Sequence, residues 1–349
     1  MIGPGREMKG GIASVVNGYI NAGLPEKCNL RYMGTVVEGS AIRKLIKVIV
    51  SFAEFDRALP TCDLVHVHMA SWSSYERKRF FILRARSAKK PFVIHMHGGK
   101  WDEFFLGCSE KKQNEIRSIF ESASAVIVLS EEWYDFFDKN ICPSSKLRIF
   151  HNAVKVPDDC VLKGLGSQAR RNILYLGRLD DRKCPDVLIR ASADLVRFNP
   201  DIRIRFGGDG EIGRYRALAK QIGIEGNCDF LGWVEGEEKE QLFADSGIFC
   251  LPSKNEGMPM SVLEAMAHGL AAVATPVGGI PQVIENGVDG FVVPVNDAPC
   301  LKNILENLVR DQELRKRIGV AGYMKMRSDF NVDAQIPLLV SLYEELLNS

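Results

Sequence analysis

The feature that most constrains this chain is the alternation, from end to end, of short apolar runs with longer stretches of helical periodicity. Runs such as 92–95, 125–129 and 172–176 have the length of buried strands, and the intervening stretches are long enough for helices. Parallel sheets produce this pattern because each strand is reached through a crossover connection, usually a helix. The sequence therefore predicts an α/β protein.

Two domains are expected, because 349 residues exceed the roughly 150 of one typical domain. The polar segment 155–169 interrupts the periodicity and is the predicted boundary. We predict an N-terminal domain over 1–157, a C-terminal domain over 158–330 and a final helix over 331–349 that could pack back on the N-terminal domain. The predicted strands are 64–68, 92–95, 125–129, 172–176, 202–206, 228–230, 248–251 and 272–274. The predicted helices are 42–59, 113–122, 187–197, 214–221, 239–244, 260–268, 301–308 and 332–347.

Composition excludes several classes of function. Forty-five basic and 44 acidic residues leave a net charge of +1, which argues against a nucleic-acid binder. Nine cysteines without a C-x-x-C pair suggest neither a disulfide framework nor a structural zinc site. The sequence shows no apolar run of 18 residues and no signal-peptide pattern, so a cytoplasmic protein is expected.

The densest chemical signal is the segment from Leu251 to Gly269, where an apolar run leads into a polar loop and then a helix. If the helix begins by Gly257, Glu256 and Glu264 lie about two turns apart near one face and bracket one elongated ligand. The intervening backbone N–H groups of Met258, Met260 and Ser261 would favour a phosphate at a helix N-terminus. The alternative for each carboxylate is a simple complement to the helix dipole.

Four other loops follow predicted strands, and ligands of parallel sheets lie at the carboxyl ends of strands. Arg178 and Lys183 are spaced to hold a diphosphate, although isolated cations are mostly solvated. Gly208 belongs to a Gly-Gly-Asp-Gly turn, and Val234 ends the run Leu-Gly-Trp-Val, whose backbone could contact a nucleobase. Adjacent glycines in Gly-Gly-Ile-Pro, at 278–281, would let backbone approach a ligand closely.

In this order and setting, these motifs resemble the retaining glycosyltransferases of family 4, which have the GT-B fold. The resemblance spans essentially the whole chain and is nearest to bacterial enzymes of exopolysaccharide, capsule or lipopolysaccharide O-chain synthesis. It implies two doubly wound, Rossmann-like domains that face a cleft. It also implies a nucleotide-sugar donor, UDP- or GDP-linked, a glycan or lipid-linked acceptor, and no cofactor.

The resemblance also implies roles for individual residues. Arg178 and Lys183 would hold the donor diphosphate, with Gly10 and Gly11 facing it from the other domain. Glu256 would contact hydroxyls of the transferred sugar, and Glu264 the ribose. The implied catalytic group is Glu256, His97, Arg178 and Lys183. The implied donor site comprises Gly10, Gly11, Arg178, Lys183, Gly208, Val234, Glu256, Gly257, Met258, Met260, Ser261 and Glu264, and Asn152 matches the interdomain turn.

Four positions depart from the family pattern, and each concerns a loop rather than a charged ligand. They are Ala153, Cys184, Ala271 and Gln282. No metal is expected, because the chain has no Asp-x-Asp pair. Four histidines, His66, His68, His95 and His97, stand in two alternating pairs, and we expect imidazoles hydrogen-bonded to backbone rather than metal ligands.

The mechanism implied by the resemblance is sugar transfer with retained anomeric configuration. The leaving diphosphate is already acidic, so cations and helix N–H groups can stabilise its charge without a strong protein nucleophile. Two alternatives stay open. One is a nucleotide-sugar epimerase of the same architecture, and the other is a noncatalytic partner subunit.

Two basic segments in the N-terminal half could dock to an anionic membrane. Residues 41–52 combine Arg43, Lys44 and Lys47 with isoleucines and a leucine, and residues 76–90 carry seven basic side chains against one acid. The alternative is a helix packed in the core with a solvated basic face. The functional interpretation is peripheral association with the inner face of the cell membrane.

Overall fold

A computed structural model describes residues 1–163, 165 and 170–348, which divide into two α/β units. Unit 1 comprises Met1–Ala153 together with the chain from Val332 onward, and unit 2 comprises Val154–Asn331. The division lies four residues before the position expected from the sequence. Positions 164 and 166–169 of the expected boundary segment lie outside the described residues.

Unit 1 contains a six-stranded parallel sheet in its described part, in the order β2-β1-β3-β4-β5-β6. Its strands are β1 Ile2–Gly3, β2 Met33–Gly34, β3 Val65–Met69, β4 Phe92–Met96, β5 Ala125–Val128 and β6 Leu147–Ile149. Its helices are α1 Gly11–Asn21, α2 Leu24–Cys28, α3 Ala41–Ala58, α4 Ser73–Ser87, α5 Trp101–Leu106, α6 Glu110–Glu121, α7 Glu131–Asn140 and α16 Val332–Asn348.

Unit 2 likewise contains a six-stranded parallel sheet among its described residues, in the order β12-β11-β10-β7-β8-β9. Its strands are β7 Asn172–Leu176, β8 Ile204–Gly207, β9 Cys228–Gly232, β10 Ser246–Leu251, β11 Ala271–Ala274 and β12 Phe291–Val292. Its helices are α8 Pro185–Ala191, α9 Ala193–Phe198, α10 Ile212–Ile222, α11 Gly236–Ala244, α12 Met260–Ala267, α13 Ile280–Val283, α14 Ala298–Arg310 and α15 Gln312–Asp329.

Local sequence explains many of these elements. The central strands are fully buried and mostly apolar, as expected for a parallel sheet covered on both faces, with the histidines of β3 and β4 as the main exceptions. Serine hydroxyls cap α3, α6 and α7 by accepting the backbone N–H three residues on, a contact worth about 1 kcal/mol. The predicted helix over 187–197 is wrong in one respect, because it is divided at Ser192 into α8 and α9.

The strand order places the switch point of unit 2 between β7 and β10, which are neighbours in space but not in sequence. At such a point the crossovers leave in opposite directions, and a crevice opens beyond the carboxyl ends of the two strands. The loops that follow β7 and β10 therefore meet there. These are the loops that carry Arg178, Lys183 and Glu256.

The C-terminal helix α16 belongs to unit 1, where it contacts α1 and α2. The Tyr343 hydroxyl lies 2.5 Å from Nδ1 of His66 on β3, which ties the helix to the sheet. Among the helices described, none combines the length and the apolar character needed to cross a bilayer.

Candidate active site

The centre of the site in unit 2 is an ion pair between the two switch-point loops. Nζ of Lys183 lies 2.5 Å from Oε1 of Glu256, and the two side chains are 12% and 6% exposed. Because both groups are largely removed from water, each depends on the other to compensate its charge. The structure thus brings together two residues that the sequence analysis placed on different parts of a ligand.

Arg182 is a third member of this cluster, and the sequence analysis missed it. Its Nη1 donates to the backbone oxygen of Asn255 at 2.9 Å and lies 3.6 Å from Oε2 of Glu256. The Lys254 N–H donates to the backbone oxygen of Arg182 at 2.8 Å. The position of Arg182, one residue before Lys183, was the sequence signal that could have identified it. Arg178, in contrast, is 62% exposed and approaches Asp180 at 3.8 Å.

Replacing Arg182 with Ala should loosen the 254–256 loop, because that loop loses a charged donor to a backbone carbonyl. Such a bond is worth about 1.5 to 3 kcal/mol, and partial exposure places the expected loss of unfolding free energy at the lower end. Urea denaturation measures this loss. Arg190→Ala is the control, since Arg190 is an exposed arginine on α8. Equal denaturation midpoints for both variants would show that Arg182 does not hold the loop.

The helix after Glu256 begins within the predicted range 260–268 and not by Gly257, the earlier start on which the bracketing of a ligand by Glu256 and Glu264 was conditional. Its first residue is Met260, with Pro259 at the N-cap in an extended conformation. A proline disfavours the helical conformation of the residue before it, so Met258 cannot join the helix. Glu256, Gly257 and Met258 therefore lie on the loop, and the placement of Met258 as a helix N-terminal donor was wrong. Met260 and Ser261 do occupy the first turn.

Glu264 lies on α12 and is held by the neighbouring helix α11. Its Oε2 is 2.7 Å from Nζ of Lys239. One turn on, the ring of His268 lies between the backbone oxygen of Glu264 at 2.7 Å and Oε2 of Glu240 at 2.9 Å. Lys239 thus orients the carboxylate, and Glu264 keeps a second oxygen for another donor.

The adjacent glycines at 278 and 279 pack closely against the Glu256 loop. The sequence analysis had attributed them to close approach of a ligand. A Cβ at Gly278 would lie 2.1 Å from the backbone oxygen of Glu256, and Gly278 has a φ of +57°. The Gly279 N–H donates to the backbone oxygen of Gly257 at 2.5 Å. The loop after β11 therefore packs directly against the Glu256 loop. A side chain at position 278 or 279 would collide with the backbone of that loop.

The Gly-Gly-Asp-Gly turn is likewise packed against a neighbouring loop. At Gly208 the φ is +150°, and a Cβ would lie 1.9 Å from the backbone oxygen of Gly177. The Gly208 N–H donates to the oxygen of Gly232 at 2.6 Å. Val234 is buried, and its side chain would touch a Cβ on Gly207 at 2.7 Å. The Gly-Gly-Asp-Gly turn and the Leu-Gly-Trp-Val segment thus pack against each other at the edge of the sheet.

In unit 1, the glycines predicted to face the diphosphate stand at the start of α1. Gly10 is the N-cap residue with a φ of +134°, and Gly11 is the first residue of the helix. An added Cβ at either position would meet no atom within 4 Å. The positive φ of Gly10 thus explains why a glycine occupies that position. At Gly11, in contrast, a side chain would meet no steric obstacle. Asn152 is buried near the end of the N-terminal part of unit 1.

His97 follows β4 and is buried with three other imidazoles. Its Nε2 is 2.8 Å from Nδ1 of His68, and Nε2 of His66 is 3.2 Å from Nδ1 of His95. Burial, followed by His95, Lys78 and His66, holds the pKa of His97 well below its usual range. The four rings bond to one another rather than only to backbone, which corrects the expectation.

Nitrogen atoms of His66, His68 and His95 lie within 4.8 Å of one another, close enough to consider a metal. His68 stacks on the rings of His66 and His95, however, with interplanar angles of 19° and 30°, and the rings of His66 and His95 are tilted by 39°. The lone pairs of imidazole lie in the ring plane, so these rings cannot converge on one ion without rotating. The geometry suits a stack of hydrogen-bonded rings.

The basic segment over 76–90 does not form the surface that its composition suggested. Lys78 is only 2% exposed, and burial lowers its pKa to about 7. Arg79 pairs with Glu76 at 2.9 Å and with Glu115 at 2.6 Å. Lys78 and Arg79 are thus buried or paired, whereas Arg86 and Lys89 stay exposed, so the segment presents fewer free charges than its composition suggested.

Comparison with known proteins finds sequence relatives among the glycosyltransferases. The family model described as "Glycosyl transferases group 1" matches residues 164–325. A D-inositol 3-phosphate glycosyltransferase of Corynebacterium aurimucosum is 31% identical over 183 residues, which are 50% of this chain and 43% of that protein. A putative colanic acid biosynthesis glycosyltransferase, WcaL, of Salmonella typhimurium is 28% identical over 250 residues, which are 66% and 59%.

Solved structures match over nearly the full length. The structure of Anabaena HepE in complex with UDP-glucose superimposes with a TM-score of 0.76, 18% identity and 98% coverage of both chains. At that identity the match establishes the fold alone. The chain spans about half the length of the first curated relatives it matches. Residues 164–325, most of unit 2, thus match the group 1 glycosyl transferases, and both units have the GT-B fold, which supports the resemblance to family 4.

Proposed function

We propose that this protein is a retaining glycosyltransferase that moves a sugar from a nucleotide sugar to an acceptor hydroxyl. The observation that carries the proposal is the Lys183–Glu256 pair, with Arg182 beside it, at the switch point of unit 2. Two cations and a carboxylate at that place suit a ligand that has both a diphosphate and a hydroxylated sugar.

Donor binding would exchange one anion for another. The diphosphate takes the place of Glu256 as the partner of Lys183, and Glu256 is released to accept hydrogen bonds from sugar hydroxyls. The exposed Arg178 turns toward the same phosphates. Backbone N–H groups of Met260 and Ser261 add the positive end of α12, and the second oxygen of Glu264 accepts from the ribose.

The reaction then requires stabilisation of a charge that grows on the leaving diphosphate. Lys183, Arg178 and the first turn of α12 supply it without a protein nucleophile. The acceptor attacks from the face that the diphosphate leaves, and the departing phosphate oxygen takes its proton. His97, held neutral, donates or accepts a hydrogen bond at the sugar.

We propose UDP as the nucleotide, because structural neighbours such as HepE were solved with UDP and UDP-glucose. The test is calorimetric titration of the full chain with UDP, GDP and ADP. Product analysis with the matching nucleotide sugar, with and without acceptor, then separates transfer from epimerisation. Binding of none of the three nucleotides would refute the proposal.

We propose that the acceptor is a lipid-linked glycan in cell-surface polysaccharide synthesis, by analogy with the colanic acid relative. An acceptor of this kind lies at the cytoplasmic face of the cell membrane. The surface that supports such a location is α3. Five apolar residues of this helix are 44% to 72% exposed, namely Ile42, Leu45, Ile46, Ile49 and Val50.

This apolar stripe lies on the side of α3 away from the core. Its members recur at i, i+3, i+4 and i+7, whereas the buried residues are Ser51, Phe55 and Ala58. The alternative of a core-packed helix therefore does not fit the N-terminal half of α3. Arg43, Lys44 and Lys47 flank the stripe, so we propose that α3 lies in the interface of an anionic bilayer.

We expect cosedimentation with liposomes that contain phosphatidylglycerol, and release at high salt. Each cation contributes about 1 kcal/mol at such a surface, so the variant Arg43→Glu, Lys44→Glu, Lys47→Glu should lose binding. The matched control is Lys27→Glu, Lys111→Glu, Lys139→Glu, which changes the net charge equally at exposed lysines of unit 1. Equal loss in both variants, or no binding by the unaltered protein, would exclude α3 as the docking surface.

A further inference from the structure

The four buried histidines, His66, His68, His95 and His97, form two separate hydrogen-bonded pairs. The pairs differ in the residues that they contact beyond the histidines. One pair runs from Tyr343 through His66 to His95, whose Nε2 has no hydrogen-bond partner among the described residues. The other runs from Met1 through His68 to His97. His66 and His68 belong to the same strand and are equally buried, at 2% and 0% exposure. Only the second pair includes His97, the residue that directly follows β4.

The sulfur at the end of the second pair determines where its protons lie. Nε2 of His68 is 3.2 Å from Sδ of Met1, and a thioether can accept a hydrogen bond but cannot donate one. Nε2 of His68 must therefore carry the proton. A neutral imidazole has one N–H, so Nδ1 of His68 is an acceptor, and its partner, Nε2 of His97, must be the donor.

This assignment leaves His97 with a lone pair on Nδ1. That atom makes no hydrogen bond within the part of the chain that the structure describes. Neutrality of both rings agrees with the burial that lowers the pKa of His68 and His97. With the opposite tautomer, two lone pairs would face each other between His68 and Met1, an arrangement that no proton satisfies.

We infer that His68 and Met1 are positioning residues that hold His97 as its Nε2–H tautomer, so that Nδ1 accepts a hydrogen bond from a substrate hydroxyl. The inference rests on the proposed glycosyltransferase function for the substrate, but the tautomer itself does not. A hydroxyl group is a donor that fits this acceptor, whereas an amide carbonyl or a phosphate oxygen is not. His97 therefore selects a sugar or acceptor position that bears a free hydroxyl.

The direct test is nitrogen NMR of the imidazole rings in the full chain labelled with ¹⁵N-histidine. The signals of His97 are assigned by their loss in His97→Gln. We expect a protonated Nε2 and an unprotonated Nδ1 in the unaltered protein at pH 7. A protonated Nδ1, or a doubly protonated ring, would overturn the inference without any measurement of activity.

Two matched variants separate positioning from packing. His68→Leu removes the acceptor of His97, whereas His66→Leu removes an equally buried ring from the same strand that does not bond to His97. In His68→Leu we expect a mixture of His97 tautomers and a fall of about tenfold in kcat, with nucleotide affinity unchanged. In His66→Leu the His97 signals should keep their positions.

If both variants changed the His97 spectrum and kcat equally, the effect would be one of packing and the inference would fail. If the unaltered chain transferred no sugar from any nucleotide sugar, the proposed function would fail instead. The tautomer would still be measured in that case. The two failures are therefore distinguishable.

Discussion

Lys183→Met should reduce sugar transfer by two to three orders of magnitude, the largest effect expected of any single change in unit 2. An interaction with charge that develops on a leaving group in a site shielded from water is worth about 2 to 5 kcal/mol. Steady-state kcat with a saturating nucleotide sugar measures the loss. Near-normal turnover would remove Lys183 from the diphosphate site.

The structure adds a consequence for stability that the sequence did not suggest. Glu256 is 6% exposed, so without Lys183 its charge keeps only the more distant Arg182, and Lys183→Met should lower the unfolding free energy by about 3 kcal/mol. The double variant Lys183→Met, Glu256→Gln removes both charges and should regain most of that loss while staying inactive. Additive losses of stability in a double-mutant cycle would show that the two groups are not coupled.

Glu264→Gln should weaken the binding of free UDP, whereas Glu256→Gln should not. Glu264→Gln weakens an acceptor for the ribose hydroxyls, at a cost of about 1 to 3 kcal/mol, or roughly 5- to 150-fold in affinity. Glu256→Gln removes the anion that competes with the diphosphate for Lys183, so UDP affinity should be unchanged or higher while transfer falls. Calorimetry measures both affinities.

Lys239→Met is the control for the position of Glu264. Lys239 holds the Glu264 carboxylate at 2.7 Å, and its loss should weaken UDP binding less than Glu264→Gln does. Equal loss of UDP affinity in Glu256→Gln and Glu264→Gln would contradict the assignment of sugar and ribose to different carboxylates. Loss in neither variant would contradict a nucleotide site at α12.

The sequence by itself determined the fold class and most strands. Apolar runs at 172–176 and 125–129 correspond to β7 and β5 within one residue, because strands buried on both faces must be apolar throughout. Strands β1, β2 and β12 have two residues each, too few for any periodicity to register. The start of α12 at Met260 agrees with the predicted range 260–268, because the effect of Pro259 on Met258 is local.

Only the tertiary structure decided which surfaces are covered and which charges meet. Hydrophobic periodicity indicates that a helix has an apolar and a polar face. It does not indicate which face is buried, because the segment that covers it belongs to a distant part of the chain. For this reason α3 and α4, which the sequence analysis treated alike, differ in the structure, with Ile42 exposed and Lys78 buried. The pairing of Lys183 with Glu256 has the same origin, since the carboxyl ends of β7 and β10 are 75 residues apart in sequence and become neighbours only through the strand order.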